Sequence, residues 1–334
     1  MSPSITKLTY YIPEENFSTD YLLKSKPKSV VKKIISKTGI NKKFKAKDSQ
    51  FASDLAVEAI NKLIHDKNVN ISDVDFVIFC NQTPNHILPM SSPIIQKKIF
   101  HLNTNVGFID ISQGCSGYIY SLKIASSLVR SKACKKVLVV TADTYSKIID
   151  KNDVSTLAIF GDGASASIVE NIESGNNNIG NFSLGCDGSK LDNLYIPNSG
   201  LEKLEDINSS SLIMNGTNIF SFVLQKVPEN VNECLKKNNI NKNEIKYFIF
   251  HQANKYILET LREKLEIKND KFIIDLSYGN TTSSTIPIAL YNLIKNKKVS
   301  PDDNILICGF GVGLSWGSTV IKCDSQLINS IIDE

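Results

Sequence analysis

The chain has 334 residues with a net charge of +4, and its 42% hydrophobic and 22% charged residues are typical of a folded globular protein that could form two packed half-domains. This composition excludes disorder, collagen and a coiled coil, and no apolar run reaches the roughly 18 residues that a membrane-spanning helix needs. The first residues lack the charged segment and apolar core of a signal peptide, so we expect a cytoplasmic protein with no membrane insertion.

The first distinctive segment is basic. Ten lysines and no Asp or Glu lie between Tyr21 and Lys47. Two interpretations fit this segment equally well. Its lysines could simply face solvent, or they could bind an acidic partner, namely a nucleic acid, the phosphates of a nucleotide-like cofactor or an acidic carrier protein. Tyr21 and Phe44 are its only aromatic residues, so a surface that stacks on nucleic-acid bases is poorly supported.

Apolar runs and helical patterns alternate along the rest of the chain. β-branched and aromatic runs predict strands at 74–80, 105–111, 135–142, 245–251, 271–276 and 304–309. Helical spacing predicts helices at 51–65, 91–100, 115–130, 217–238, 254–266 and 283–297. Strand–helix–strand order predicts parallel sheets covered by helices. The polar segment 174–181 predicts a boundary between an N-terminal half, 1–173, and a C-terminal half, 174–334.

The two halves resemble each other in sequence. Three segment pairs match in the same order: 74–85 with 245–255, 108–117 with 272–282, and 159–169 with 309–321. The matches place Cys80 opposite His251 and Cys115 opposite Asn280. Three matches in one order predict a duplicated fold with loops of different lengths.

Three polar residues stand where predicted strands end. Cys115 and Asn280 each follow a strand and open a helix, and His251 ends a strand. Binding sites in open α/β sheets form beyond the carboxyl ends of strands. If the halves pack about a pseudo-twofold axis, Cys115 and Asn280 approach each other across it.

Cys115 is the candidate nucleophile. Its GCSG context places the thiol between glycines at a helix N-terminus, where the first N–H groups and the helix dipole favour a thiolate. The glycines would let a substrate approach the backbone closely. The seven cysteines include no CxxC motif and no Cys/His cluster with zinc spacing, so we expect no metal and interpret the other six as free buried thiols.

His251 and Asn280 are the candidate partners of this thiol. A His at the end of an apolar run is often only a semi-buried residue, but the polar HQAN sequence ends the strand abruptly. Asn280 also suits a helix N-cap, although Thr281, Thr282 and Ser283 could cap equally well. The glycine-rich segments FGDGAS and FGVGLSWG contain no phosphate-loop motif, so we interpret them as tight turns beside the nucleophile.

Seven motifs resemble the β-ketoacyl-acyl-carrier-protein (ACP) synthase III family of thiolase-fold enzymes: SKTGINKKF, CNQTPNHILP, QGCSG, IFGDGA, HQAN, YGNT and GFGVGLSWGS. The resemblance extends from about Ile5 to Lys322. Its Cys–His–Asn set separates this family from the elongating synthases, which use Cys–His–His. The resemblance implies an α/β, thiolase-like fold of duplicated βαβαβ halves, with mixed, mostly parallel sheets in α/β/α/β/α layers.

The resemblance also implies a reaction. An acyl thioester loads Cys115, and decarboxylative condensation with malonyl-ACP then gives β-ketoacyl-ACP in fatty acid or related acyl-chain biosynthesis. His251 and Asn280 would stabilise the enolate, and the backbone N–H groups of Cys115 and Val312 would hold the oxyanion. The implied partners are an acyl carrier protein, an acyl-CoA or acyl-ACP substrate and a second copy in a homodimer, without nucleic acid, metal or redox cofactor.

Further positions follow from the same resemblance. The implied substrate-binding residues are Leu88, Ile159, Met214, Gly216, Phe220, Ala253, Asn254 and Phe310. The implied docking residues for the carrier or for coenzyme A phosphates are Lys33, Lys37 and Lys255. Leu88 aligns with an aromatic that closes the acyl pocket across the dimer, and its smaller side chain predicts a roomier pocket.

The chain departs from the family pattern where the adenine of coenzyme A binds. A Trp that stacks on the adenine aligns with Lys33, and an Arg that packs on its other face aligns with Val154. These two contacts are worth on the order of 1 kcal/mol or more each. We therefore expect a carrier-bound donor, or a coenzyme A ester bound mainly by its pantetheine arm. Tyr256 replaces a basic docking residue, for which Lys255 and the lysines of 24–47 could compensate.

Three other functions fit parts of the pattern. A papain-like peptidase also uses Cys, His and Asn in this order, but the chain lacks that family's CGSCW-type context and a secretory signal. An enzyme of the same fold could transfer the acyl group to an oxygen, nitrogen or other non-malonyl acceptor in a specialised pathway. A non-catalytic binding module would not need Cys115, His251 and Asn280 together, and the last two favour condensation because both suit an enolate.

Overall fold

The computed structural model describes residues 2–17, 26–101, 105–172, 178–202, 210–296, 299–301 and 303–332. The strands are β1 (Ser2–Tyr11), β2 (Glu15–Asn16), β3 (Phe44–Lys45), β4 (Phe76–Cys80), β5 (Gly107–Ile111), β6 (Lys136–Asp143), β7 (Gly163–Ile172), β8 (Ser183–Cys186), β9 (Leu194–Tyr195), β10 (Ile213–Met214), β11 (Ile245–Phe250), β12 (Phe272–Ile273), β13 (Asn304–Gly311) and β14 (Ser315–Ile321). The α-helices are α1 (Lys28–Thr38), α2 (Ala52–Asp66), α3 (Ser92–Ile99), α4 (Gly117–Arg130), α5 (Val154–Leu157), α6 (Gly216–Asn238), α7 (Lys255–Lys264), α8 (Thr285–Asn296) and α9 (Ser325–Ile332).

Two five-stranded sheets with the same strand order organise the described residues. The first runs β1-β7-β6-β4-β5 and the second β8-β14-β13-β11-β12, which confirms the duplicated fold that the internal repeat predicts. The predicted strands are all present, and they make the parallel pairs of each sheet. The sequence pattern makes no prediction for strands β1, β7, β8 and β14, which make the antiparallel pairs. Each sheet therefore has two parallel and two antiparallel strand pairs.

Helices α4 and α8 fill the space between the two sheets, α2 and α3 cover the outer face of the first, and α6 and α7 cover the outer face of the second. Successive residues of the central strands therefore face different cores. Ile305 and Ile307 pack against the middle layer, whereas Leu306 and Cys308 pack against the outer helices. Burial on both faces explains why these strands are continuous apolar runs, and it produces the predicted α/β/α/β/α layers.

The six predicted helices are confirmed, with ends that differ by one or two residues. Helices α1, α5 and α9 are additional, and α1 carries part of the basic segment and is followed by Gly39, whose φ of 71° suits glycine. Within the described residues, none of the helices combines the length and hydropathy that crossing a membrane requires. Tyr21 and Lys24 lie outside the described residues. The boundary near Glu173 also lies outside them, so the division into halves stays a prediction.

The cysteines correct one expectation. All seven are free, but Cys134 is only half-buried and Cys186 is exposed, so the prediction of six buried thiols besides Cys115 is wrong for these two. Cys186 ends β8, which is the edge strand of the second sheet, and Cys134 lies in the turn between α4 and β6. Neither position has a helix layer on both sides.

Gly309 of β13 sets how closely α4 approaches the second sheet. A Cβ added at this residue would lie 2.8 Å from Ser116 Cα and 2.9 Å from the Cys115 carbonyl oxygen, both backbone atoms that cannot rotate away. We expect Gly309→Ala to lower the free energy of unfolding by about 1–3 kcal/mol, because an overpacked core must shift its backbone. Urea denaturation measures the change. Gly188→Ala, where an added Cβ meets nothing within 4 Å, should unfold near the wild-type midpoint; equal stability of both variants would contradict this account.

Candidate active site

Cys115 lies between β5 and α4, at the carboxyl end of the first sheet. Its side chain is buried, and α4 begins two residues later at Gly117 with Ser116 as its N-cap. The second sheet approaches the thiol through Gly311 at the end of β13, where an added Cβ would lie 2.9 Å from Cys115 Cβ and 3.1 Å from its Sγ. A glycine is needed here because any side chain would press on the candidate nucleophile. The FGVGLSWG segment therefore adjoins Cys115, although it also contains the end of β13 and the beginning of β14.

The thiol of Cys115 is protonated in this state. Burial raises its pKa well above the usual value, and the nearby Asp143 carboxylate raises it further. A hydrogen bond from the backbone favours the thiolate but is the smaller effect. The sequence-based expectation of a thiolate is thus not met, because desolvation outweighs the helix N-terminus that follows the residue.

His251 follows β11 and is also buried. Burial lowers its pKa to about 3, against the opposing effect of the Thr282 backbone, so the imidazole is neutral at physiological pH. Its Nδ1 lies 2.7 Å from Thr285 Oγ1, and its ring meets Phe310 edge-on with centroids 5.5 Å apart. The other histidines, at 65, 86 and 101, are exposed.

The hydrogen bonds around His251 assign its tautomer. The single hydroxyl proton of Thr285 is donated to the Thr282 carbonyl at 2.9 Å, so His251 Nδ1 carries the proton and donates to Thr285. Asn280 Oδ1 accepts from the Thr282 N–H at 2.9 Å, which turns its Nδ2 toward His251 Nε2 at 3.3 Å. Nε2 is therefore an acceptor. Asn280 combines both sequence interpretations, because its oxygen caps a turn while its nitrogen contacts the histidine.

Asp143 and Thr282 are the supporting residues that sequence reasoning missed. Thr282 has φ 53°, an unusual conformation for a β-branched residue, and its hydroxyl donates to Asp143 Oδ2. Oδ1 of Asp143 accepts from the backbone of Gln82 at 2.7 Å and from Thr83. No sequence signal links Asp143 with Thr282, since they are 139 residues apart.

A cavity of about 640 Å³ brings Cys115, His251 and Asn280 together. This volume lies within the usual range of ligand sites. Most of the implied substrate-binding residues also line it, as does one implied docking residue: Ile159, Met214, Gly216, Phe220, Ala253, Asn254, Phe310 and Lys37. Leu194, Ile219, Val223 and Ile257 add apolar wall that the sequence analysis does not name. Among the described residues, no three or more His, Cys, Asp or Glu side chains are grouped to hold a metal ion.

Four implied residues lie away from the cavity wall. Leu88 is 87% exposed in the loop between β4 and α3. Val312 follows Gly311 and adjoins the loop of the nucleophile, since a Cβ added at Gly114 would lie 3.2 Å from its Cβ. Lys33 and Lys255 are exposed on α1 and α7. The roles implied for these residues stay predictions.

An aromatic pair lies among the lining residues at the α1 side of the cavity. Phe220 and Tyr256 stack with centroids 5.1 Å apart and an interplanar angle of 17°. Lys37 Nζ lies 5.1 Å from the centroid of the Tyr256 ring. Val154, which aligns with the adenine-packing Arg, is buried in the core and presents no stacking group.

Comparisons with known proteins agree with one family. The profile of 3-oxoacyl-[ACP] synthase III matches residues 109–188, and that of the synthase III C terminal matches 235–323. The β-ketoacyl-[ACP] synthase III of Caldanaerobacter subterraneus is 36% identical over 318 residues, which cover 93% of this chain and 95% of that protein. A crystal structure of a 3-oxoacyl-(ACP) synthase III has a TM-score of 0.93 at 34% identity, covering 96% of this chain and 100% of the other. The priming β-ketosynthase of the R1128 polyketide pathway has a TM-score of 0.87 at 25% identity, covering 96% of each chain.

The Asp143 carboxylate should restrain the reactivity of the Cys115 thiol. Burial raises the pKa of Asp143 to about 6, so above this pH its charge is present and raises the pKa of Cys115. We expect Asp143→Asn to speed alkylation of Cys115 by iodoacetamide roughly tenfold at pH 8, equivalent to about one pKa unit. The two rates should converge below pH 6, where the carboxylate is protonated.

Mass-spectrometric counting of alkylated Cys115 gives these rates. The exposed Asp270→Asn is the matched control and should react at the wild-type rate. A slower Asp143→Asn, or a rate difference that persists unchanged below pH 6, would contradict the electrostatic account.

Proposed function

The chain belongs to the β-ketoacyl-ACP synthase III family, and we propose that it loads an acyl group from an acyl thioester onto Cys115 and condenses it with malonyl-ACP to give β-ketoacyl-ACP. The observation that carries this proposal is the convergence of Cys115, His251 and Asn280 on one cavity. Fatty acid synthesis or a related acyl-chain pathway would use such a product. Family membership excludes the papain-like alternative.

The first half-reaction begins from neutral groups. Cys115 Sγ attacks the thioester carbonyl, its S–H proton passes to the unprotonated Nε2 of His251, and the carbon–sulfur bond to the leaving group breaks. Because burial makes the imidazolium unfavourable, His251 passes the proton on to the leaving thiolate. The products are an acyl-Cys115 and a free thiol, and the imidazole is neutral again.

The second half-reaction needs donors at the same place. Carbon dioxide leaves the malonyl group, and the enolate oxygen is held by Asn280 Nδ2 and by His251 Nε2. For this step the imidazole must be in its other tautomer. After the leaving thiol has departed, a water molecule delivers a proton to Nε2 and Nδ1 releases its own, and Thr285 then donates to Nδ1 in place of the Thr282 carbonyl. The carbanion attacks the acyl carbonyl, whose oxyanion is held by the backbone N–H groups of Cys115 and Val312. Collapse releases β-ketoacyl-ACP and the Cys115 thiolate, which takes up a proton.

The donor is selected by the cavity wall. Apolar residues such as Ile219, Val223 and Phe310 suit the acyl chain. Buried Val154 and exposed Lys33 offer no sandwich for an adenine ring. We therefore propose that the acyl donor is bound through its acyl and pantetheine parts, whether its carrier is coenzyme A or a protein.

The acyl carrier protein would dock on the basic rim beside the cavity. Lys33 and Lys37 lie on α1, which packs against α7, where Lys255 lies. Lys255 is only partly engaged by Glu259, at 3.7 Å on the exposed surface, so it stays available to an acidic partner.

The chemistry proposed here involves no electron transfer and no Lewis acid, so we propose that neither a metal nor a redox cofactor takes part. A cytoplasmic location is likewise proposed. It agrees with the seven cysteines, which are all free, because a reducing compartment keeps thiols unpaired.

Intact-protein mass spectrometry tests the reaction directly. We expect incubation with a panel of acyl-coenzyme A and acyl-ACP thioesters to add one acyl group to the wild type and none to Cys115→Ser. Malonyl-ACP added afterwards should remove the group as β-ketoacyl-ACP. Asn280→Ala should still be acylated but should condense roughly 10²–10³-fold more slowly, because it loses an enolate donor; the exposed Asn296→Ala is its control.

Two outcomes would change the assignment. Acylation that malonyl-ACP does not discharge would indicate an acyltransferase with an oxygen or nitrogen acceptor. Absence of acylation by the whole panel would overturn Cys115 as the nucleophile.

We also propose a homodimer formed through the outer edge of the first sheet. Strand β5 is at this edge, with Ile109 exposed, and the neighbouring loop exposes Ile87, Leu88 and Met90. The loop is joined to β5 because Asp110 accepts from the Ser91 N–H at 2.7 Å. An exposed strand edge flanked by apolar side chains readily pairs with another copy.

A charge at this edge should separate the protomers. We expect Ile109→Glu to shift the molar mass measured by light scattering from dimer to monomer at micromolar concentration. Leu201→Glu, at a residue that is 95% exposed and distant in sequence from the edge, should remain dimeric. A dimer that persists in Ile109→Glu would place the interface elsewhere.

A further inference from the structure

Lys43 is buried, unlike the other described lysines of the basic segment. Only 2% of its surface is exposed, and among the described residues no acceptor lies within hydrogen-bond distance of its Nζ. The Nζ lies 4.8 Å from the centroid of the Phe17 ring, so it makes a cation–π contact. A buried amine without an acceptor is costly, so the fold retains a donor that it does not itself satisfy.

The carboxylate whose charge acts on Lys43 is that of Asp162, and it does not accept a hydrogen bond from the lysine. Asp162 accepts from the Ala46 N–H at 2.7 Å and from the Ser146 N–H at 2.9 Å, and the Ser146 hydroxyl also donates to it. Its effect on Lys43 is a field effect rather than a hydrogen bond. The Nζ of Lys43 therefore has no acceptor among the described residues, Asp162 included.

Lys43 lines a second cavity of about 460 Å³, distinct from the one that contains Cys115. Its charged lining consists of four lysines and one acidic residue: Lys43, Lys45, Lys147, Lys151 and Asp48. The rest of the wall is largely apolar: Phe17, Phe44, Ile149, Leu157 and Phe160. Phe160 also lines the first cavity, so the two are neighbours.

We propose that this second cavity binds an organic carboxylate with a short apolar body, and that Lys43, which lines the cavity, turns its buried Nζ to donate hydrogen bonds to that carboxylate. The excess of lysines favours an anion, and a carboxylate would supply the missing acceptor. The aromatic and aliphatic wall favours a ligand with an apolar body over a small inorganic anion. The site does not depend on the proposed condensation.

Binding at this site should be linked to a proton. Burial lowers the pKa of Lys43 to about 7, and Asp162 opposes this effect. A bound carboxylate favours the ammonium, so above pH 7 binding takes up a proton and the dissociation constant rises by up to tenfold per pH unit. The other charged groups that face Lys43 or line the cavity are Asp48, Asp162, Lys45, which pairs with Glu15, Lys147 and Lys151.

Isothermal titration calorimetry with octanoate and with inorganic phosphate tests the proposal on the full chain. Cys115 is first alkylated, so that the catalytic cavity is obstructed. We expect one equivalent of octanoate to bind, phosphate to bind at least tenfold more weakly, and the octanoate affinity to fall between pH 7 and 9. Octanoate binding that disappears on alkylation would assign the ligand to the catalytic cavity and overturn the proposal.

Substitutions of Lys43 provide the decisive comparison. Lys43→Met should lose octanoate affinity at least tenfold, and Lys43→Arg should keep binding but lose the fall above pH 7, because its guanidinium stays charged. Lys246→Met, at an exposed lysine of β11, is the control and should bind as the wild type does. Thermal unfolding checks that each variant is folded. If Lys43→Met does not fold, the pH profile of Lys43→Arg still tests the proposal. Wild-type affinity in Lys43→Met, or an unchanged pH profile in Lys43→Arg, would overturn the site.

Discussion

The hydrogen bond from Thr282 to Asp143 joins a strand of the first sheet to the turn that carries Asn280, at the place where the candidate functional residues meet. Asp143 ends β6 of the first sheet, and Thr282 lies in the turn before α8. This bond helps hold Thr282 in its left-handed conformation. In that conformation its N–H orients Asn280 and its carbonyl accepts from Thr285, which in turn fixes His251. The arrangement of Asn280 and His251 therefore depends on the carboxylate of Asp143, which belongs to a strand of the first sheet.

Burial gives this site its electrostatic character. Desolvation raises the pKa of Cys115, lowers that of His251 and raises that of Asp143 to about 6. The thiol and the imidazole are consequently both neutral before a substrate enters. A neutral pair avoids the cost of a buried ion pair, and its proton can move when the thioester carbonyl provides a place for the developing charge. The same desolvation acts on Lys43, where the fold supplies no acceptor.

Local patterns were sufficient for part of the fold. The central strands β4, β6, β11 and β13 are buried on both faces, so their apolar runs identify them without knowledge of their neighbours. Strand β8 is different, because it lies at a sheet edge with partly exposed residues and has no such run. Strands β7 and β14 begin in glycine-rich segments that resemble turns, and only their antiparallel partners make them strands.

The sequence by itself determined the duplicated fold and the candidate residues Cys115, His251 and Asn280, because motifs and strand ends are local features of the chain, and the family resemblance named about half of the residues that line the cavity. Only the tertiary structure decided their protonation and support. Cys115 is a thiol rather than a thiolate because β13 of the second sheet packs against it and Asp143 lies near, and neither effect is visible in GCSG. Asp143 with Thr282, and Lys43 with its cavity, are likewise products of distant segments packing together. Desolvation and long-range contacts exist only once the chain is folded, and they set the chemistry of residues that the sequence can merely locate.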